Sequence, residues 1–192
     1  EKVEINTFRR DLVEGWNFVS FPIADQSNPD IEETIDTSNV AVIWTKDNGS
    51  WISYDPDAPE NVNGFSELSG GEGYILKAEK NFTIAPNVNN QWVSGGLGVG
   101  QANASLNPGS YTLAGQFQEY RQDADTDAAF ASIADGSVGR IYKQKSPGSL
   151  QLEVIKSMNS ENTTEEMIPG YAYRVYIKNS GVDSWTWSEP KR

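Results

Sequence analysis

The sequence predicts a mostly β fold, β-sandwich or meander-like, with short helices and two tandem, duplicated β-rich units. Three observations lead there. Strand-and-turn anchors recur in the same order at nearly constant spacing. Short runs of apolar residues alternate at period two. Seventeen glycines and nine prolines supply frequent turns.

The first anchor is Leu12-Val13-Glu14-Gly15 followed by a strand led by Trp16; it returns as Leu106-Asn107-Pro108-Gly109 ahead of Tyr111, 94 positions on. Val42-Ile43-Trp44-Thr45-Lys46 returns as Arg140-Ile141-Tyr142-Lys143 at an offset of 98, and Gly73-Tyr74-Ile75-Leu76-Lys77 as Gly170-Tyr171-Ala172-Tyr173-Arg174 at 97. The expected units are residues 1–90 and 105–192, joined by a Gly-rich linker over residues 91–104. That linker lacks the Lys-Ser/Thr of a phosphate-binding loop, and no helix follows it.

Within the first unit, Val19, Phe21 and Ile23 alternate with Ser20 and Pro22, as in a strand with one buried face. Asn28-Pro29-Asp30-Ile31-Glu32-Glu33-Thr34-Ile35 reads as a short helix, with Asn28 as cap, Pro29 in the first turn, and Ile31 and Ile35 facing the core. Strands follow at 40–45, 51–54, 73–78 and 81–84, with a hairpin turn at Asp47-Asn48-Gly49. The second unit offers a helix near 126–134 and strands at 139–143, 150–156 and 170–178. In the middle one Leu150, Leu152 and Val154 alternate with Gln151, Glu153 and Ile155. Two further segments, Lys2 to Asn6 and Ser184 to Ser188, read as strands outside the repeat. They pair with each other or with a neighbouring chain.

Composition removes much chemistry. The chain has no His and no Cys, so Ser-His-Asp and Cys-His catalysis, imidazole or thiolate metal sites, and disulfides lack their side chains. A net charge of −12 argues against nucleic acid, whose affinity comes mainly from Lys and Arg. No apolar run approaches the ~20 residues of a membrane-spanning helix. The start, Glu1-Lys2-Val3-Glu4, lacks an initiator Met and an apolar leader core, and reads as a processed form or a fragment.

The run Leu12 to Pro22, Ile43-Trp44, Trp51 to Tyr54 and Gly71-Glu72-Gly73-Tyr74-Ile75-Leu76-Lys77 resembles a β-rich module. Tandem "Gly-Trp-Asn … Gly-Tyr" modules of this kind are found in bacterial surface proteins and in virion proteins of marine tailed phages. The resemblance spans Leu12 to Lys178. The second unit departs from it, with Ser110-Tyr111 in place of Trp-Asn and no Trp-x-x-Tyr strand. It implies architecture and display on a surface; no catalytic residue carries over.

Candidate ligand- or interface-binding residues are Trp51, Tyr54, Trp185 and Trp187. Trp51 and Tyr54 flank a turn, and Trp185 and Trp187 share one face of a strand. Trp16 and Trp44, inside apolar runs, read as core. The weak calcium candidate Asp123, Asp125, Asp127 begins like an EF-hand loop, yet Ala128 and Ala134 stand where Gly and Glu are required, so no metal and no cofactor are expected. Of the four Asn-x-Ser/Thr sequons, at Asn48, Asn81, Asn103 and Asn162, about two or three are expected by chance, so they carry little weight.

The expected function is therefore non-catalytic: a structural, decoration or adhesin module on a virion or cell surface, extracellular, partnered by other protein subunits. The alternative is a carbohydrate-binding module that uses exposed aromatics on polysaccharide. A glycoside hydrolase is a third class, requiring a carboxylate pair at a spacing that sequence does not reveal.

Overall fold

Two four-stranded antiparallel sheets dominate the computed structural model, which describes residues 9–21, 29–69, 72–84, 103–106, 111–115, 124–125, 137–156, 166–167, 170–178 and 185–188. The described structure is mostly β, as composition and alternation predict.

In the first unit, β1 (Arg10–Leu12), β2 (Gly15–Ser20), β3 (Val40–Asp47), β4 (Ser50–Tyr54), β5 (Gly73–Ala78) and β6 (Phe82–Ile84) surround a one-turn helix, α1 (Ile31–Thr34). The sheet order is β2-β5-β3-β4, and β1 pairs with β6 as a separate ribbon. The β3–β4 hairpin turns where expected: Asn48 at φ 47° and Gly49 at φ 82° supply the two positive angles of such a turn. Asn17 fixes the bend before β2. Its Nδ2 donates to the Val13 and Gly15 carbonyls at 2.8 and 3.0 Å, and its Oδ1 accepts from the Val13 N–H at 3.2 Å.

One face of this sheet is a conventional core. Val19, Ile43, Tyr54, Tyr74 and Leu76 pack with Phe21, Ile31, Ile35 and Leu68, and the ribbon closes it with Leu12 and Ile84. Each fully buried side chain of this kind contributes roughly 1.5–3 kcal/mol. The Tyr74 ring meets Phe21 edge-on at 5.5 Å; its hydroxyl accepts from the Ser69 N–H at 2.8 Å and donates to Glu72 Oε2 at 3.1 Å.

The second unit contributes β7 (Asn103–Leu106), β8 (Tyr111–Gly115), β9 (Ala124–Asp125), β10 (Val138–Gln144), β11 (Leu152–Lys156), β12 (Glu166–Met167), β13 (Ala172–Ile177) and β14 (Trp185–Ser188). Its sheet runs β8-β13-β10-β11, while β7 pairs with β14 and β9 with β12. In both sheets the unit's opening strand lies beside its last, then comes the second, then the third. Both sheets also carry a register shift early in the second strand, between Val40 and Val42 and between Val138 and Arg140.

The two sheets are not independent. Phe18 and Ile75 of the first pack on Leu113, Ala172 and Leu152 of the second. The free edge of β2, which would otherwise expose a row of donors, is covered by the second unit. The Trp16 N–H donates to the Gly148 carbonyl (3.1 Å), the Phe18 N–H to Gln144 Oε1 (3.0 Å) and the Ser20 N–H to the Gly170 carbonyl (2.9 Å). Gln144 Nε2 returns a bond to the Trp16 carbonyl at 2.6 Å. Its amide thus replaces a peptide group in the ladder. Arg10 adds a buried contact: its guanidinium lies 3.6 Å from the Tyr171 ring centroid and donates to the Gly170 carbonyl.

Several sequence expectations change. The helix cap is Asp30 rather than Asn28, Pro29 precedes the cap, and no side chain caps the turn; Ile31 and Ile35 are buried as expected. Strand β2 stops at Ser20 and buries both faces, because the second sheet covers the side expected to be wet. Asn103 and Ala104, assigned to the linker, lie in β7. Around β11 the alternation holds only in part: Leu152 packs against the first sheet, but Leu150, ahead of the strand, and Val154 are exposed and Ile155 is buried, where the register shifts opposite Ile141 and Tyr142. Residues 2–6, 28 and the expected helix at 126–134 lie outside the described residues.

Candidate binding face between the sheets

Strands β10 and β13 each carry the pattern Arg-aliphatic-Tyr: Arg140-Ile141-Tyr142 and Arg174-Val175-Tyr176. Period two sends Ile141 and Val175 into the interior, where both are fully buried. The four remaining side chains share the opposite face. Antiparallel pairing sets Arg140 opposite Tyr176 and Tyr142 opposite Arg174, so cations and aromatic rings form a checkerboard. Tyr111, opposite Tyr176 on β8, joins it. Its ring centroid lies 5.0 Å from that of Tyr176 and 5.9 Å from that of Tyr142, and the Arg174 guanidinium lies 4.1 Å over it.

The adjoining face of the first sheet continues the theme. Register places Trp16 opposite Lys77, and Lys46 opposite Trp51. The Lys77 ammonium is 5.7 Å from the Trp16 ring, and that of Lys46 is 5.2 Å from Trp51. Lys46 Nζ also donates to the Tyr111 carbonyl at 3.3 Å, so it bridges the two units.

Charge is sorted between faces. The positions that these registers place on the shared side of β2, β3, β4, β5, β8, β10 and β13 include four of the chain's 15 basic residues, Lys46, Lys77, Arg140 and Arg174. They include none of its 27 acidic ones. Among the described residues no carboxylate forms an ion pair with these four; the ion pair present, Lys143 to Glu153 at 3.2 Å, uses alternate positions on the other side. Hydrogen bonding tunes the hydroxyls. Tyr111 and then Arg140 donate to the Tyr142 oxygen and pull its pKa below the ordinary value, while the same contacts raise Tyr111 and Arg140.

Of the residues singled out in sequence, Trp51 lies on this face and is 49% exposed. Tyr54 does not join it. Three positions on, it points to the opposite side of β4, is 4% exposed, and donates its hydroxyl to Glu32 Oε1 at 2.9 Å. Burial first, then the neighbouring Glu32, raises its pKa to about 12. The expected Trp51–Tyr54 platform is therefore not formed. Trp185 and Trp187 lie in β14, in register with Leu106 and Ala104 of the same chain, so one edge of that strand is paired within the chain. Trp16 and Trp44 are half-buried on the shared face instead of in the core.

Asp125 lies in β9 opposite Glu166; Asp123 and Asp127 fall outside the described residues, among which no group of three or more acidic side chains is arranged to hold a metal. No helix of the described residues is long and apolar enough to cross a membrane. Sequence reasoning missed Lys46, Lys77, Tyr111, Arg140, Tyr142, Arg174 and Tyr176. The twice-repeated Arg-aliphatic-Tyr was the available signal. Comparison with protein-family models, curated proteins and solved structures finds no match.

Proposed function

We propose that this chain is a non-catalytic adhesin or decoration module, displayed on a virion or cell surface and built from two copies of one β-rich unit. The observation that carries the reading is the shared face: four cations and seven aromatic rings (Trp16, Phe18, Trp44, Trp51, Tyr111, Tyr142 and Tyr176), no acid, on a chain of net charge −12. Such a surface attaches; it offers no nucleophile–base pair and no carboxylate pair. The common strand order of the two sheets supports the duplicated architecture. The test is localisation. Antibody against the chain should label intact particles or unpermeabilised cells, and the chain should co-purify with them at fixed stoichiometry. Labelling only after lysis overturns the reading.

A further inference from the structure

The geometry points to a ligand for this face: we infer that the Arg140/Arg174/Tyr111/Tyr142 checkerboard binds a linear acidic polysaccharide, its carboxylates on the guanidinium forks and its sugar rings against the tyrosines and Trp51. The inference rests on the attachment reading above and names what is attached.

Charge comes first. Opposite and diagonal positions on paired strands place Arg140 and Arg174 about 7–8 Å apart at the backbone. Both guanidiniums are anchored by the tyrosines around them. Arg174 lies over Tyr111, Arg140 bonds the Tyr142 and Tyr111 hydroxyls, and among the described residues no carboxylate pairs with either guanidinium, which leaves N–H donors for a planar anion. Lys46 and Lys77 extend the positive field along the first sheet.

Two features favour a sparsely charged glycan over a nucleic acid. Duplex carries a charge every ~1.7 Å of axis, and the acidic remainder of the chain repels so dense a polyanion beyond the short range of four cations. Single strands need free ring faces on which bases stack. Here the Tyr111, Tyr142 and Tyr176 rings are half-buried, the latter two tilted 58° and 45° to Tyr111, which is itself already covered by Arg174. Rings in this state offer edges and hydroxyls, which suit the C–H and O–H groups of a sugar.

The test is affinity electrophoresis of the full chain in gels containing polygalacturonate, dextran or oligothymidylate, each against a polymer-free gel. Polygalacturonate should retard the chain, increasingly less as NaCl is raised, and dextran should not. Arg140→Gln with Arg174→Gln should weaken retention at least about tenfold. Arg174→Lys, which keeps the charge and loses the fork, should fall between. Lys143→Gln, on the other side of β10, should leave retention unchanged, and a thermal midpoint for every variant separates lost binding from lost folding. Absence of retention, equal retention by dextran, stronger retention by oligothymidylate, or a folded double variant that binds normally each overturns the inference. Those outcomes leave the attachment reading standing if surface labelling holds. New reducing ends released from the polymer would overturn the non-catalytic reading itself.

Discussion

Replacing Gly15 by Ala should separate the two sheets, and the structure allows the size of the effect to be worked out. Gly15 has φ 97°, and a Cβ there would lie 2.5 Å from the Gly148 carbonyl oxygen, with Gly148 carbon atoms at 3.2 Å. The backbone conformation alone costs an L-residue roughly 1–2 kcal/mol. The contact cannot be relieved by a rotamer, because the obstacle is backbone. Moving it away strains the two bonds that join the strands here, Trp16 N–H to Gly148 carbonyl at 3.1 Å and Gly148 N–H to Trp16 carbonyl at 2.9 Å. At about 1 kcal/mol each, the total is ~3–4 kcal/mol, a large part of the 5–15 kcal/mol by which domains are usually stable. Gly49→Ala is the control. Its φ is 82°, but nothing lies within 4 Å of the added Cβ, so it should cost only the conformational ~1–2 kcal/mol. Urea unfolding followed by tryptophan fluorescence measures both. Equal losses at the two positions would show that the sheet junction does not depend on this close approach.

Other outcomes follow from single contacts. Gln144→Leu removes the acceptor for the Phe18 N–H and the donor to the Trp16 and Ser149 carbonyls, and should cost ~2–3 kcal/mol in urea unfolding. Burial, with Asp47 nearby, raises the Glu72 pKa, although the Tyr74 hydroxyl opposes it. The folded state therefore holds the Glu72 proton more tightly, and that contribution is lost as pH rises above the carboxylate range. Glu72→Gln should raise the urea midpoint at pH 7 and leave it unchanged near pH 4. In an absorbance titration at 295 nm, Tyr142 should ionise before Tyr111, while Tyr54, at about 12, and Tyr74, well above its ordinary value, stay protonated until the chain unfolds. Because their folded pKa values are raised, the stability from Tyr54 and Tyr74 is present below pH 10 and lost above it; alkaline unfolding should begin there. A tyrosine titration complete at pH 10 without unfolding would contradict the burial of both.

What was legible in the sequence was local. The Asn48-Gly49 turn and the limits of β5 follow from turn chemistry and alternation. What escaped was register. Sequence aligns Gly73-Tyr74 with Gly170-Tyr171, yet the fully buried tyrosine that pairs with the opening strand of the second sheet, as Tyr74 does in the first, is Tyr173. A slip of two positions preserves which side chains face the core, so period-two reasoning cannot detect it. Gly170 and Tyr171 are diverted instead to the β2 edge, where Gly170 accepts from Ser20 and Arg10, and Tyr171 lies under the Arg10 guanidinium. The binding face escaped for the same reason. Arg-aliphatic-Tyr is unremarkable in one strand and becomes a checkerboard only when two antiparallel copies meet in one register.

That register carries a cost which packing alone does not explain. Four like charges around the seam where the two sheets pack, without an intervening carboxylate on the sides that meet there, repel one another, and a chain with 27 acidic residues had ample means to place one among them. Elsewhere it does so: Lys143 has Glu153 directly across the strand pair. Cross-strand Arg–Tyr and Lys–Trp pairs return part of the loss, about 0.5–1 kcal/mol each at exposed positions. They do so through rings that a neutral side chain could pack against equally well. Folded proteins break such local rules mainly at functional or strained sites. Anions are what this face lacks, and the acidic glycan proposed above would supply them at a spacing that the rest of this acidic surface tolerates.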